Sequence, residues 1–129
     1  RKRVLDICTR ELVTPKGVRS LSPKSGGYNP LYVGQQTQRD FAYHNGTAWP
    51  WLTGFYLEAY LRIYKMSGVN FIERQLIGFE EELFYHCVGT IPELFDGNPR
   101  FSGRGAISFA MNVSGLLRAI NILDKYTRE

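Results

Sequence analysis

The residues best suited to chemistry lie in one short stretch, residues 39–51, just ahead of a helical hydrophobic pattern. Flat aromatic faces pack against the apolar C–H faces of sugar rings, while carboxylate, imidazole and amide groups hydrogen-bond neighbouring hydroxyls. This stretch contains all of these groups, which predicts a carbohydrate-binding cleft. The residues are Asp40, Tyr43, His44, Asn45, Trp49 and Trp51.

The same stretch also has a purely architectural interpretation. Asn45 and Gly46 form a typical turn pair, and Thr47 is a suitable helix cap. Trp49 and Trp51 are then core anchors, and His44 is an ordinary loop residue. Composition does not decide between the two interpretations.

A second candidate segment, residues 89–97, places Glu93 beside the apolar Leu94 and Phe95. Burial among such neighbours favours the protonated form of a carboxylate, which suits it to acid or base chemistry near neutral pH. The alternative roles for Glu93 are a helix terminus or a salt bridge. Asp96 precedes Gly97 and is typical of a turn.

The net charge and the small number of metal-ligating side chains argue against nucleic-acid-binding and metal-binding functions. Sixteen Lys and Arg against twelve Asp and Glu give a net charge of +4, and the basic residues are spread along the chain. Because the aromatic residues follow helical spacing instead of interleaving with basic ones, we expect no nucleic-acid partner. His44 and His86 are too isolated to predict a metal site, and we expect no cofactor.

Hydropathy and cysteine content indicate a cytoplasmic protein. No apolar run approaches the roughly 18 residues of a membrane-spanning helix. The basic start is followed by an amphipathic stretch, which is not the pattern of a signal peptide. Cys8 and Cys87 are far apart and belong to no CxxC motif, so free thiols in a reducing compartment are expected. We therefore expect neither a membrane partner nor secretion.

Hydrophobic periodicity predicts an all-α fold of about four helices, because apolar residues recur three and four positions apart in four segments. We predict helices up to about residue 14, at 50–65, 72–87 and 106–126. Long connections at 15–48 and 89–103 are rich in Gly and Pro, and we expect both to emerge on one side and to carry the chemistry. We predict no strand, apart from short extended pieces near residues 31–33.

The two candidate segments, together with residues 12–23 and 104–107, resemble the C-terminal end of the glycogen debranching enzyme family, its amylo-α-1,6-glucosidase domain. The similarity runs from Leu12 to Ala119 and is most specific at residues 43–51 and 92–97. A helical pattern that begins at the first residue agrees with this, since no capping residue precedes it. We therefore expect residues 1–129 to be a single C-terminal piece of the catalytic domain.

The resemblance implies the C-terminal portion of an (α/α)6 barrel, in which six helical hairpins surround the cleft. It also implies hydrolysis of α-1,6-linked glucose stubs on glycogen by an inverting, two-carboxylate mechanism. Glu93 matches the family's general base, whereas the general acid lies upstream and has no counterpart here. Tyr43, His44, Asn45, Trp49, Trp51 and Asp40 match the motif that lines the cleft.

The sequence departs from the family pattern at two places near the predicted last helix. Phe109-Ala110-Met111 stands where many members carry Gln-Ala-Trp, and Gly115 occupies a position that is usually acidic. These changes leave open a non-catalytic carbohydrate-binding or helical interaction module. In either case the expected partners are branched α-glucan and the rest of the parent chain. A partial barrel would also expose apolar helix faces, which favours self-association.

Overall fold

The computed structural model describes residues 1–86 and 88–128. Cys87, which belongs to the predicted third helix and was expected to be a free thiol, lies outside the described residues. Cys8 is a free, half-buried thiol in the first helix. No helix of residues 1–86 and 88–128 has the length and apolar character needed to cross a bilayer.

Four helices of ten or more residues form the frame of the described chain, and they correspond to the four predicted from periodicity. The second of these four begins directly after Pro50, in agreement with the preference of proline for helix starts. A 3₁₀ turn, Lys65–Gly68, joins it to the next helix. The four are α1 (Lys2–Glu11), α3 (Trp51–Tyr64), α4 (Val69–Glu80) and α6 (Ala110–Arg128), and the shorter ones are α2 (Gln36–Tyr43) and α5 (Glu82–Tyr85).

The all-α prediction is wrong in one respect, because the described residues include a five-stranded antiparallel sheet. The strands pair in chain order, with Val18 opposite Trp49 and Ala48 opposite Phe95. Each contains only two or three residues, so the alternation that reveals a strand in a sequence never develops. They are β1 (Val13–Thr14), β2 (Gly17–Arg19), β3 (Ala48–Trp49), β4 (Leu94–Phe95) and β5 (Gly103–Arg104).

The sheet joins two chain segments far apart in sequence, since β1 to β3 lie between α1 and α3 and β4 and β5 lie between α5 and α6. Helix α1 ends at Glu11, earlier than predicted, because the next residues enter β1. The extended pieces expected near residues 31–33 form no strand. There the backbone N–H of Tyr32 donates to the side chain of Asp96 instead of to a neighbouring strand.

Helix α2 lies inside the segment that we predicted as a loop. A capping box supports its start, in which Gln35 and Gln38 each bond the other's backbone N–H. Residues 35–41 are exposed, and only Ala42 near the end of the helix is buried. A helix with so little buried surface carries no apolar stripe, which is why periodicity did not reveal it.

Helices α3 and α6 form the closest helix pair, and glycines allow their backbones to approach. A Cβ atom on Gly115 would lie 2.6 Å from the Cα of Trp51, and one on Gly54 would lie 2.5 Å from the Gly115 carbonyl oxygen. Both distances are far below van der Waals contact. In this arrangement Gly115 faces α3, and the close backbone approach leaves no room for a side chain.

Substituting Gly115 by alanine tests this helix crossing. In an open helix position the change would stabilise the protein by about 0.5–1 kcal/mol. Here the added methyl group meets rigid backbone, so we expect the free energy of unfolding to fall by about 1–3 kcal/mol. Urea denaturation followed by circular dichroism measures it. Ser114→Ala, at an exposed neighbouring position, is the control and should change stability by no more than about 0.5 kcal/mol. A stabilised Gly115→Ala protein would contradict the packing.

Candidate functional site

Glu93 lies immediately before β4, where the hairpin of β4 and β5 fixes its backbone. Its N–H donates to the Ala106 carbonyl at 2.9 Å, and its own carbonyl accepts the Asn112 side-chain amide at 2.6 Å. The side chain is half-buried, while the adjacent Leu94 and Phe95 are buried.

The two carboxylate oxygens of Glu93 have different hydrogen-bond donors. Oε1 accepts from the Tyr43 hydroxyl at 2.5 Å, and Oε2 accepts from the backbone N–H of Ala106 at 2.8 Å. Gly105 lies against the same carboxylate, with φ +72° and no room for a Cβ atom beside Oε2. Neither of the alternative roles from the sequence, a helix terminus or a salt bridge, describes this arrangement.

The bond between Tyr43 and Glu93 connects the two segments singled out in the sequence. The same segments also meet where Ala48 pairs with Phe95 between β3 and β4, and at Gly97. A side chain on Gly97 would overlap the carbonyl oxygen of Gly46, so the two turns touch backbone to backbone. The structure thus brings together two motifs that lie about fifty residues apart.

Tyr43 keeps its proton at neutral pH. Burial and the hydrogen bond to Glu93 together raise the pKa of its hydroxyl to about 12. The phenol is therefore a permanent donor to the carboxylate under physiological conditions.

An aromatic cluster surrounds Tyr43. Its ring centroid lies 4.8 Å from that of Trp49 and 4.7 Å from that of His44, both edge-on. His44 stacks on Trp49 at 6.0 Å. Trp49 is only 5% exposed, and its Nε1 donates to the Tyr43 carbonyl and to the Thr47 hydroxyl. Trp49 is thus an anchor of the cluster, as the architectural interpretation had it.

A cavity of about 240 Å³ opens beside this cluster. Four residues of the sequence motif line it together with two residues at the start of α6. Trp51 is half-buried and His44 is exposed, so both offer ring surface to a ligand. The six residues are Tyr43, His44, Trp49, Trp51, Phe109 and Met111.

Two predicted binding residues do not line this cavity. Asp40 is exposed on α2, and Asn45 is half-buried at the end of that helix. The Asn45 side chain donates to the Phe41 carbonyl at 2.6 Å, and its backbone carbonyl accepts from Asn29. Asn45 thus shapes the turn, and a contact of either residue with sugar stays a prediction.

Asp96 makes a separate set of polar contacts. It is 3% exposed, and its Oδ2 accepts from Nε and an NH₂ group of Arg104 at 3.0 and 2.8 Å. Its Oδ1 accepts the backbone N–H of Tyr32 at 2.9 Å. Both oxygens of this carboxylate are hydrogen-bonded, and these bonds join the long connection to the β4–β5 hairpin, so the residue is structural.

Asn112 is the residue that sequence reasoning missed. Its side chain is fully buried and makes three backbone hydrogen bonds: Oδ1 accepts from Trp51 at 3.0 Å, and Nδ2 donates to the carbonyls of Pro92 and Glu93 at 2.6 Å each. It precedes the buried Leu116 by one helical turn. A polar residue on a buried helix face was the signal available in the sequence.

Residues 112–114 match a glycosylation acceptor pattern, as do residues 45–47. The complete burial of the Asn112 side chain is incompatible with a glycan there. Among residues 1–86 and 88–128, no group of three or more His, Cys, Asp or Glu side chains is placed to hold a metal ion.

Comparison with known proteins agrees with the resemblance seen in the sequence. The family described as Amylo-alpha-1,6-glucosidase matches residues 1–118. A curated relative, the glycogen debranching enzyme of Saccharomyces cerevisiae, is 34% identical over 64 residues. That alignment covers 45% of this chain and 4% of the yeast protein, so the chain matches a small part of its relative's length.

Replacing Asn112 by leucine, which is similar in size, tests its role as a connector. The change leaves one N–H and two carbonyl oxygens without partners in a buried site. Each unpaired group lowers the free energy of unfolding by about 1–3 kcal/mol. We expect the free energy of unfolding to fall by at least about 3 kcal/mol, measured by chemical denaturation. Asn121→Leu, an exposed position on the same helix, is the control and should be nearly neutral. Equal stabilities of the two variants would show that the amide is dispensable.

Proposed function

Because the chain belongs to the amylo-alpha-1,6-glucosidase family, we propose that it forms the C-terminal part of a glycogen-debranching glucosidase. The complete enzyme hydrolyses the α-1,6-linked glucose stubs of trimmed glycogen branches and releases free glucose. One observation carries this proposal: the carboxylate of Glu93 is hydrogen-bonded to Tyr43, and Tyr43 lines an aromatic cavity. The most specific motif residues of the resemblance thus belong to a single site.

The proposed reaction inverts the configuration at the sugar's anomeric carbon. Glu93 accepts a proton from water as the water oxygen attacks that carbon, and a second carboxylic acid protonates the departing glycosidic oxygen. Each oxygen of Glu93 has one donor in the structure, so lone pairs remain to orient the water. The acid belongs to the rest of the enzyme, and the 129-residue chain alone should therefore release no glucose.

The cavity residues divide into two groups in this proposal. His44 and Trp51 present accessible ring surface and bind the sugar, whereas Trp49 is buried and forms the wall behind them. The volume of about 240 Å³ suits a small group such as one sugar ring better than an extended chain. A terminal glucose stub is a substrate of that kind.

The fold in the complete enzyme is proposed to be the (α/α)6 barrel, with the four long helices as part of its wall. We propose a cytoplasmic location, with glycogen as the partner and no cofactor. Self-association also stays a prediction. An apolar groove of about 600 Å³ between α4 and α6 is the exposed surface that motivates it.

A second candidate function is a carbohydrate-binding module without catalytic activity. Phe109 and Met111 favour it, because both line the cavity at positions where many family members carry Gln and Trp. Under this alternative the cavity would still bind α-glucan, but the complete enzyme would release no glucose.

The decisive test is Glu93→Gln in the complete enzyme that contains this segment. The amide cannot accept a proton from water, so we expect glucose release from phosphorylase-limit glycogen to fall by at least about 1,000-fold. Glu81→Gln, an exposed carboxylate at the end of α4, is the matched control and should retain full activity. Near-normal release by Glu93→Gln would refute the assignment of the base, and an inactive unsubstituted enzyme would favour the binding module.

Sugar binding can be measured separately in the inactive Glu93→Gln background. Trp51→Ala removes exposed ring surface from the cavity wall, so we expect the Kd for a branched maltooligosaccharide to rise about 10-fold or more. Isothermal titration calorimetry gives this value. Phe84→Ala removes an exposed ring outside the cavity and should leave the Kd unchanged. An unchanged Kd for Trp51→Ala would exclude this ring from the binding site.

A further inference from the structure

We propose that Tyr43 is the positioning residue of Glu93, holding the carboxylate in the orientation that the hydrolytic step requires, and is not itself a sugar contact. The inference rests on the proposed function, because it assigns a partner to the base named there. It changes the role expected from the sequence, in which Tyr43 was one of several cleft-lining aromatics.

The hydroxyl of Tyr43 is already committed to Glu93. It lies 2.5 Å from Oε1, while the opposite oxygen is held by the Ala106 N–H. A carboxylate held from both sides cannot rotate about its terminal bond without losing one of the two donors. A sugar hydroxyl could donate to the Tyr43 oxygen without breaking the hydrogen bond from Tyr43 to Glu93. The hydrogen bond to Glu93 therefore does not depend on a sugar.

Tyr43 is itself fixed in a way that suits a positioning residue. Its backbone carbonyl accepts from the Thr47 hydroxyl at 2.9 Å and from Trp49 Nε1 at 3.3 Å. Its ring packs edge-on against Trp49 and in a tilted contact with Tyr32. The indole of Trp49 therefore supports Glu93 indirectly, because it fixes both the backbone and the ring of Tyr43.

Because Tyr43 keeps its proton, Tyr43 is the donor and Glu93 the acceptor in their hydrogen bond. The pKa of the phenol is about 12, so the hydroxyl donates to the carboxylate throughout the neutral range. Glu93 Oε1 is therefore the accepting partner of this hydrogen bond.

Gly105 offers an independent way to disturb the same carboxylate. Any side chain there would overlap Oε2, on the side away from Tyr43. Gly89 has nearly the same backbone conformation, with φ +73° against +72°, but nothing lies within 4 Å of the position a Cβ would take. Comparing alanine at Gly105 with alanine at Gly89 therefore separates the effect of backbone strain from the effect of displacing Glu93.

The test compares Tyr43→Phe and Gly105→Ala in the complete enzyme with limit-dextrin substrate. Loss of a hydrogen bond to a charged group predicts a fall in kcat of about 10- to 100-fold for Tyr43→Phe, with KM changed less than about 2-fold. Gly105→Ala should lower kcat by a similar factor.

Two controls accompany the test. Tyr28→Phe removes a phenol of similar burial, whose hydroxyl bonds Asn98 at 2.8 Å, and should leave kcat and KM unchanged. Gly89→Ala should likewise retain normal kcat. Thermal melts by circular dichroism identify any variant that fails to fold, and if Tyr43→Phe is lost in this way, Gly105→Ala against Gly89→Ala decides.

The outcomes separate this inference from the proposed function. If Glu93→Gln is inactive while Tyr43→Phe and Gly105→Ala keep normal kcat, the positioning role is overturned and the base remains. If Tyr43→Phe raises KM with kcat unchanged, Tyr43 is a sugar contact and the inference is wrong. If Glu93→Gln itself is active, the proposed function fails first.

Discussion

The buried side chain of Asn112 is the contact on which the arrangement of the site depends. One amide satisfies the N–H of Trp51, a donor at the start of α3 that has no intrahelical partner, and the carbonyls of Pro92 and Glu93. It therefore ties two helices to the loop that carries the carboxylate. Three backbone groups share this one fully buried side chain as a partner, so the loop cannot shift without breaking these hydrogen bonds.

Around that contact, the long connections are ordered by small and local means. Five strands of two or three residues, a buried pair of Asp96 and Arg104, and the close approach of Gly46 and Gly97 together hold the two chemistry-bearing segments. None of these would be stable alone. Together they explain how a segment rich in Gly and Pro can hold a carboxylate within hydrogen-bonding distance of its donors.

The aromatic residues of the motif separate into supporting and accessible members. Trp49 is buried and fixes Tyr43, while Trp51 and His44 remain open to the cavity. The two interpretations of the motif, a sugar cleft and an architectural turn, therefore describe different residues of the same stretch. The buried residues hold the accessible rings rigid, and rigid rings bind a ligand with little loss of conformational freedom.

The sequence by itself determined the four long helices, since each buries a stripe whose period is visible locally. It also determined the family, through motifs such as residues 43–51 and 92–97. It did not reveal the five strands, which are too short to show alternation, or α2, which buries too little surface to show a stripe. Only the tertiary structure decided that Tyr43 donates to Glu93 and that Asn112 holds the loop, because hydrogen bonds between residues some 20 to 60 positions apart leave no periodic trace.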